Sequence, residues 1–258
     1  MGASSLLTSI QQRRPVVGCA HMIRDEAVTE ALRGVAADFL LVDMQHVAFG
    51  LESLQRTLIA LHPSELAVLV RIPSNDYVTI GQMFDLGVTG VIVPMVNTRQ
   101  DAMAAVAAAK YPPVGIRSWG PRRVSTFHGD PASYALTAND NTIVIVQIET
   151  QEAVDNLDDI ISVPGLNGVM VGPADLAISM GYIHDRENQT VQSTIQFVLD
   201  RCLENEMPFG FFASSLESAL YWIERGATIL NCSSDSTFVV EGFNRIAGAV
   251  ADLRAAGR

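Results

Sequence analysis

The chain has 258 residues, 48% of them hydrophobic, and a formal net charge of −11 at pH 7. This length suits one large folded domain, and this hydrophobic content excludes a disordered chain. The acidic balance argues against nucleic acid or an anionic membrane as a partner. No apolar run reaches the ~18 residues that cross a bilayer, and three widely spaced cysteines suit a reducing compartment, so we expect a cytoplasmic protein without a membrane span.

Short apolar runs alternate with helix-like segments along almost the whole chain. After a short helix within 1–14, eight strands are predicted at 15–21, 38–44, 67–72, 90–95, 142–149, 168–175, 208–213 and 227–232. Helices are predicted between successive strands and, after the last strand, to about Arg254. This alternation predicts one (β/α)₈ TIM barrel that covers residues 1–258. A doubly wound open sheet is the alternative fold, but it would need a glycine-rich phosphate turn, which the sequence lacks.

The fifth and sixth predicted strands each lead into a carboxylate, Glu149 and Asp175. Adjacent parallel strands end on the same side of a sheet, so we expect these two acids to converge on a hard divalent cation. The turn at Gly172, Pro173 and Ala174 begins a helix, and its free backbone N–H groups suit a carboxylate or phosphate. The alternative is that Glu149 caps a helix and Asp175 lies in an ordinary turn.

Other polar residues follow predicted strands: Asp43 and His46, Arg71, Gln147 and Ser214. The carboxyl ends of barrel strands surround one mouth, where active sites lie. A hydrogen bond from Asp43 to His46 would orient a general base, and Arg71 could stabilise an oxyanion or bind a carboxylate. Alternatively, His46 is a surface loop residue and Arg71 forms a structural ion pair at the rim.

Some features stand outside this set. Asp85 falls in the last turn of a helix, where the helix dipole disfavours an acid, so it is either solvated or paired with a cation on another element or subunit. His21 could face the mouth, and the loop around Trp119 could form a lid or a subunit contact. Lys110 is the only lysine and follows a helix rather than a strand, which does not favour Schiff-base chemistry. Three histidines are predicted to be surface residues: His62, His128 and His184.

Taken together, six motifs resemble the HpcH/HpaI family of metal-dependent 2-oxo acid aldolases, which includes 4-hydroxy-2-oxoheptanedioate aldolase and 2-dehydro-3-deoxygalactarate aldolase. The resemblance runs from about Pro15 to Asp235. The motifs are Asp43-Met-Gln-His46, Val70-Arg-Ile-Pro73, Val93-Pro-Met-Val96, Tyr111-Pro-Pro-x-Gly-x-Arg117, Val146-Gln-Ile-Glu-Thr150 and Gly172-Pro-Ala-Asp-Leu176.

The resemblance implies a class II pyruvate aldolase, which reversibly cleaves a 4-hydroxy-2-oxo acid to pyruvate and an aldehyde through a metal-stabilised enolate. It implies that Glu149 and Asp175 hold Mg²⁺, Mn²⁺ or Co²⁺. Arg71 would support the enolate oxygen, and Gln147 would contact the ligand. His46, with Asp43 behind it, would move protons.

The resemblance further implies that the backbone from Gly172 to Asp175 receives the substrate carboxylate. It places Asp85 in the site of a neighbouring subunit. It implies a hexamer built as a trimer of dimers, with an exchanged C-terminal helix. The partners would be small molecules, and the pathway would be carbohydrate or aromatic catabolism.

The chain departs from the usual family pattern at Gln45, at Ala20 and at Val47-Ala48. These departures affect the aldehyde half of the substrate more than the pyruvate half. Two other reactions on the same metal site stay open: decarboxylation of oxaloacetate with enolate transfer, and cleavage of acyl-CoA esters of the citramalyl or malyl type. A barrel kept only for binding or assembly is the non-enzymatic alternative.

Overall fold

The computed structural model describes residues 3–64, 66–127, 130–183 and 185–255. Eight parallel strands close into a barrel in sequential order, so the predicted (β/α)₈ barrel is confirmed. His128, His184 and the ends of the range 1–258 lie outside the described residues. The strands are β1 (Val16–His21), β2 (Phe39–Asp43), β3 (Ala67–Arg71), β4 (Gly90–Val93), β5 (Ile143–Ile148), β6 (Gly168–Val171), β7 (Phe209–Ala213) and β8 (Ile229–Ser234).

The helices connect these strands around the outside of the barrel. Asp76 caps the start of α4 through the N–H of Thr79, and Gly87 ends this helix with a φ of 93°. The strand β8 begins later than predicted because the N–H of Ala227 still bonds to the end of α11, at Trp222. The helices are α1 (Ala3–Gln11), α2 (Glu26–Ala31), α3 (Leu51–Leu61), α4 (Tyr77–Leu86), α5 (Arg99–Ala109), α6 (Pro131–Thr137), α7 (Gln151–Asp155), α8 (Leu157–Ile161), α9 (Pro173–Ser179), α10 (Gln189–Glu204), α11 (Leu216–Glu224) and α12 (Asp235–Ala255).

Two apolar layers hold the barrel together, and they explain why its strands are apolar on both faces. One layer fills the barrel interior and includes Phe39, Leu41, Leu69, Ile145 and Ile229. The other lies between the sheet and the helices. Side chains alternate between the faces of a strand. The residue two positions further along each strand therefore also faces the barrel interior, nearer the carboxyl ends of the strands.

The last helix, α12, extends away from the barrel. Its apolar residues recur at alternating spacings of four and three, and they are 39–73% exposed: Val239, Phe243, Ile246, Val250 and Leu253. An apolar stripe of this kind is typical of a helix that packs against another chain. The exchange of this helix between subunits stays a prediction. No helix in the described ranges is long and apolar enough to cross a membrane.

A buried contact between His21 and Asp235 holds the base of α12. The ring of His21 is fully buried, with Nδ1 2.8 Å from Oδ2 of Asp235 and Nε2 2.9 Å from the hydroxyl of Thr29. The hydroxyl of Thr29 also donates to the carbonyl of Asp25. The ring is therefore held at both nitrogens, by α12 on one side and by α2 on the other. His21 thus contacts α2 and α12, and the suggestion that it faces the mouth is wrong.

Candidate active site

Asp43 and Arg71 end the neighbouring strands β2 and β3 and form an ion pair at the mouth of the barrel. Nε of Arg71 lies 3.1 Å from Oδ1 of Asp43, and Nη2 lies 2.6 Å from Oδ2. Burial alone would raise the pKa of Asp43, but the hydrogen bond and charge of Arg71 outweigh it and lower the pKa below its usual value. This two-point contact fixes the direction of the guanidinium.

Asp43 does not hold the ring of His46 as predicted. Its Oδ1 accepts the backbone N–H groups of Gln45 and His46, at 3.0 and 3.3 Å, in addition to the guanidinium of Arg71. The carboxylate is therefore used by Arg71 and by the turn after β2. The expected bond between Asp43 and the imidazole is wrong, and His46 lies exposed at the rim.

Glu149 follows β5 and is 1% exposed. One carboxylate oxygen accepts the N–H of Met95 at 2.7 Å, and the other accepts the side-chain amide of Gln147. Burial raises the pKa of Glu149 to about 7; Asp175 adds to the rise, while the bonds from Met95 and Gln147 and the charge of Arg71 oppose it. A buried acid with an incompletely balanced charge is typical of a site that receives a cation.

Asp175 lies in the first turn of α9, after β6, and it is close enough for its charge to act on Glu149. The strands β5 and β6 pair in parallel, so the structure brings the two acids together as predicted. Gly172 keeps the backbone close to this group, because a Cβ there would lie 2.6 Å from Nε2 of Gln147 and 2.7 Å from Oε2 of Glu149 and would displace both side chains. Pro173 occupies the first turn of α9, and Ala174 is exposed beside it.

The donor set suits a hard divalent cation. The described ranges contain no group of three or more histidine, cysteine, aspartate or glutamate side chains that could hold a metal ion, so a cation at this site would have two carboxylate ligands. Glu149 and Asp175 supply carboxylate oxygens, and Oε1 of Gln147 is buried beside them without a hydrogen-bond partner. Ions such as Mg²⁺ bind through one or two carboxylates and keep their other positions for water and substrate. These residues therefore fit the predicted metal.

Asp85 lies away from this group. It sits near the end of α4, next to the amino end of β4 and thus on the face opposite the mouth. It pairs with Arg117 at 2.6 Å, and Arg117 is 3% exposed and stacks 4.5 Å from the ring centroid of Tyr111. The loop that carries Arg117 and Trp119 is on the same face, so it is not a lid over the mouth of its own chain. Asp85 can serve a mouth only across a subunit boundary.

Lys110 and Ser214 lie at opposite ends of the barrel. Lys110 lies beyond the end of α5, on the face opposite the mouth, and its ammonium donates to the carbonyl of Asn139 at 2.8 Å. The only lysine of the chain is therefore far from the carboxyl ends of the strands, where the candidate site lies. Ser214 follows β7 and is exposed at the rim.

Three residues at the mouth escaped the sequence-based prediction. Met95 binds Glu149 from a left-handed backbone, with a φ of 54°, and nothing in the sequence signals this conformation for a methionine. Phe212 lies under the guanidinium of Arg71, 5.2 Å from Cζ to the ring centroid. Asn231 is 5% exposed on β8. The alternation of side chains in β7 and β8 could have identified Phe212 and Asn231.

Comparison with known proteins agrees with this architecture. The model of the HpcH/HpaI aldolase/citrate lyase family matches residues 22–241. The 5-keto-4-deoxy-D-glucarate aldolase of Salmonella arizonae is 35% identical over 231 residues, covering 90% of each chain. That of Escherichia coli K12 is 34% identical over 219 residues, covering 85% of this chain and 86% of its own.

Solved structures agree with the sequence comparison. An HpcH/HpaI aldolase/citrate lyase family protein from Burkholderia cenocepacia superposes with a TM-score of 0.91 at 27% identity, covering 96% of this chain and 99% of its own. The chain therefore belongs to the HpcH/HpaI aldolase/citrate lyase family, as its motifs predicted, and it is a carbon–carbon lyase.

Proposed function

We propose that this protein is a class II pyruvate aldolase, which reversibly cleaves a 4-hydroxy-2-oxo acid to pyruvate and an aldehyde. The observation that carries the proposal is the buried Glu149, whose pKa is raised to about 7 beside Asp175. The position of Lys110, on the opposite face of the barrel, argues against the Schiff-base route to the same products. The aldolases named among the relatives support the same reaction class.

Glu149 and Asp175 would hold Mg²⁺, Mn²⁺ or Co²⁺, and such a cation supplies a Lewis acid that lowers the energy of the pyruvate enolate. Arg71 adds a fixed positive charge beside the enolate oxygen. Its direction is set before substrate arrives, by Asp43 on one side and by the ring of Phe212 on the other. A preorganised charge of this kind stabilises a developing anion without having to reorient.

The other residues at the mouth would each contact a different part of the substrate. Gln147, whose Oε1 has no partner, would contact the 2-oxo acid. The turn from Gly172 through Pro173 and Ala174 would receive its carboxylate, and Ser214 would contact the distal part of the chain. His46 would move the proton of the 4-hydroxyl group, because its exposed ring at the rim is free to approach it.

We also propose that the protein assembles as a homo-oligomer, a hexamer built from dimers that exchange α12. The exposed apolar stripe of that helix supports exchange. The Asp85–Arg117 pair faces away from its own mouth, and this position suits a contribution to a neighbour's site. The function proposed here belongs to carbohydrate catabolism in the cytoplasm.

The test is exchange of the pyruvate methyl protons in D₂O, followed by NMR, with and without Mn²⁺. We expect exchange that EDTA abolishes and Mg²⁺, Mn²⁺ or Co²⁺ restores. Glu149→Gln should lose it, whereas Glu152→Gln, which alters an exposed glutamate on α7, should keep it. Full exchange in EDTA would contradict the proposal. Pyruvate release from oxaloacetate and from acyl-CoA thioesters, measured beside hydroxy-oxo acids, separates the alternative reactions.

A further inference from the structure

We propose that Asn231 determines substrate specificity by binding a hydroxyl group on the aldehyde half of the substrate, so that hydroxylated aldehydes are preferred over their deoxy counterparts. This inference rests on the proposed aldolase function and extends it to the substrate class.

Asn231 faces the inside of the barrel near its mouth. Ile229, two residues earlier on β8, belongs to the apolar cluster that fills the interior, and alternate residues of a strand share a face. The Cα partners of Asn231 are Gly18 on β1 and Phe212 on β7. Because Phe212 stacks on Arg71, Asn231 lies one side chain away from the predicted oxyanion site.

The amide of Asn231 lacks the partners that a buried amide normally has. Its Oδ1 is buried and has no hydrogen-bond partner among the described residues. Its Nδ2 reaches only the carbonyl of Ser233, at 3.5 Å, the outer limit of a hydrogen bond. Most buried polar side-chain atoms in folded proteins are paired, and an exception calls for an explanation. A donor brought by the substrate would supply the missing bond.

The residues around Asn231 indicate which chemical group of a substrate its amide would bind. The charged residues of the candidate site lie at the ends of β2, β3, β5 and β6, whereas β7 and β8 contribute the neutral residues Ser214 and Asn231. Asp235, which follows β8, is bonded to His21 instead. On β1, the partner of Asn231 is Gly18, and Ala20 lies two residues nearer the mouth, so only small residues are next to Asn231 on that strand. An apolar chain would leave Oδ1 unpaired, and a carboxylate offers it no donor. A hydroxyl group can both donate and accept, so it suits this amide.

The experiment compares aldol addition of pyruvate, with Mn²⁺, to matched aldehydes: glyceraldehyde against propanal, and glycolaldehyde against acetaldehyde. The variant Asn231→Leu keeps the approximate shape and removes the amide. We expect its kcat/KM for the hydroxylated aldehydes to fall about tenfold, the worth of one hydrogen bond, with less than about a twofold change for the deoxy aldehydes. Asn231→Ser, which keeps a hydroxyl, should recover part of the preference and replaces Asn231→Leu if that variant does not fold.

Pyruvate proton exchange distinguishes a failure of the aldolase proposal from a failure of the Asn231 assignment. If the wild type does not exchange these protons, the aldolase proposal fails. If it exchanges them and both variants retain the wild-type preference for hydroxylated aldehydes, the assignment of Asn231 is overturned. An equal loss for both classes of aldehyde would also overturn it, because that result would indicate a structural role only.

Discussion

Removing the charge of Glu149 should stabilise the metal-free protein while it abolishes metal binding. The folded protein holds this carboxyl with a pKa of about 7, against an ordinary value of 4.5. Folding therefore favours the protonated acid. The stability that the protonated carboxyl of Glu149 contributes is fully present below about pH 4.5 and is lost as the pH rises through 7.

The size of the effect follows from the pKa. Because a tenfold change in an equilibrium constant is worth about 1.4 kcal/mol, the rise from 4.5 to about 7 corresponds to about 3 kcal/mol lost at pH 8 and less than about 1 kcal/mol at pH 5. The variant Glu149→Gln has no charge to bury. Its amide oxygen can accept the N–H of Met95, and its amide nitrogen can donate to the unpaired Oε1 of Gln147 after that side chain turns over.

The assay is thermal unfolding in EDTA at pH 5 and pH 8. At pH 8 we expect the variant to unfold roughly 6–12 °C above the wild type, given about 2–4 °C per kcal/mol for a chain of this size. At pH 5 most of the difference should vanish. Glu152→Gln controls for a general change in net charge. A variant less stable than the wild type at pH 8, or equally shifted at both pH values, would refute the reasoning.

Three other substitutions test separate parts of the structure. Arg71→Ala should lower kcat for aldol cleavage by about 10²–10³ and leave Mn²⁺ binding in place; calorimetry beside steady-state kinetics distinguishes the two, and loss of Mn²⁺ binding would count against this role. His21→Gln removes the ring that contacts both the buried carboxylate of Asp235 and the hydroxyl of Thr29, and it should cost about 1–3 kcal/mol in denaturant unfolding; an unchanged midpoint would contradict a stabilising role for these contacts. Phe243→Ser combined with Ile246→Ser should reduce the particle mass in light scattering, and a mass equal to that of the wild type would argue against assembly through α12.

The sequence predicted the barrel because its strands are apolar on both faces and its helices carry clear boundary signals. It also located the pair Glu149 and Asp175, since adjacent parallel strands must bring their carboxyl ends together. The sequence did not show which hydrogen-bond partner a polar side chain takes. Asp43 could bind either His46 or Arg71, and only the register of β2 against β3 shows that Arg71 lies opposite. Contacts that depend on such register, or on an unusual φ, do not follow from residue type.

The arrangement of charge at the mouth explains why a divalent cation fits there better than a monovalent one. Arg71 is paired with Asp43, so this pair adds no net charge. Glu149 and Asp175 remain, and when both are ionised they carry two negative charges. Burial raises the pKa of Glu149, and the charge of Asp175 adds to the rise. A dication would balance both acids, whereas a single positive charge would leave one uncompensated. In the proposed reaction, the substrate carboxylate would add one negative charge to a neutral site, and Arg71, already oriented by Asp43, would lie beside the oxygen on which the enolate charge develops.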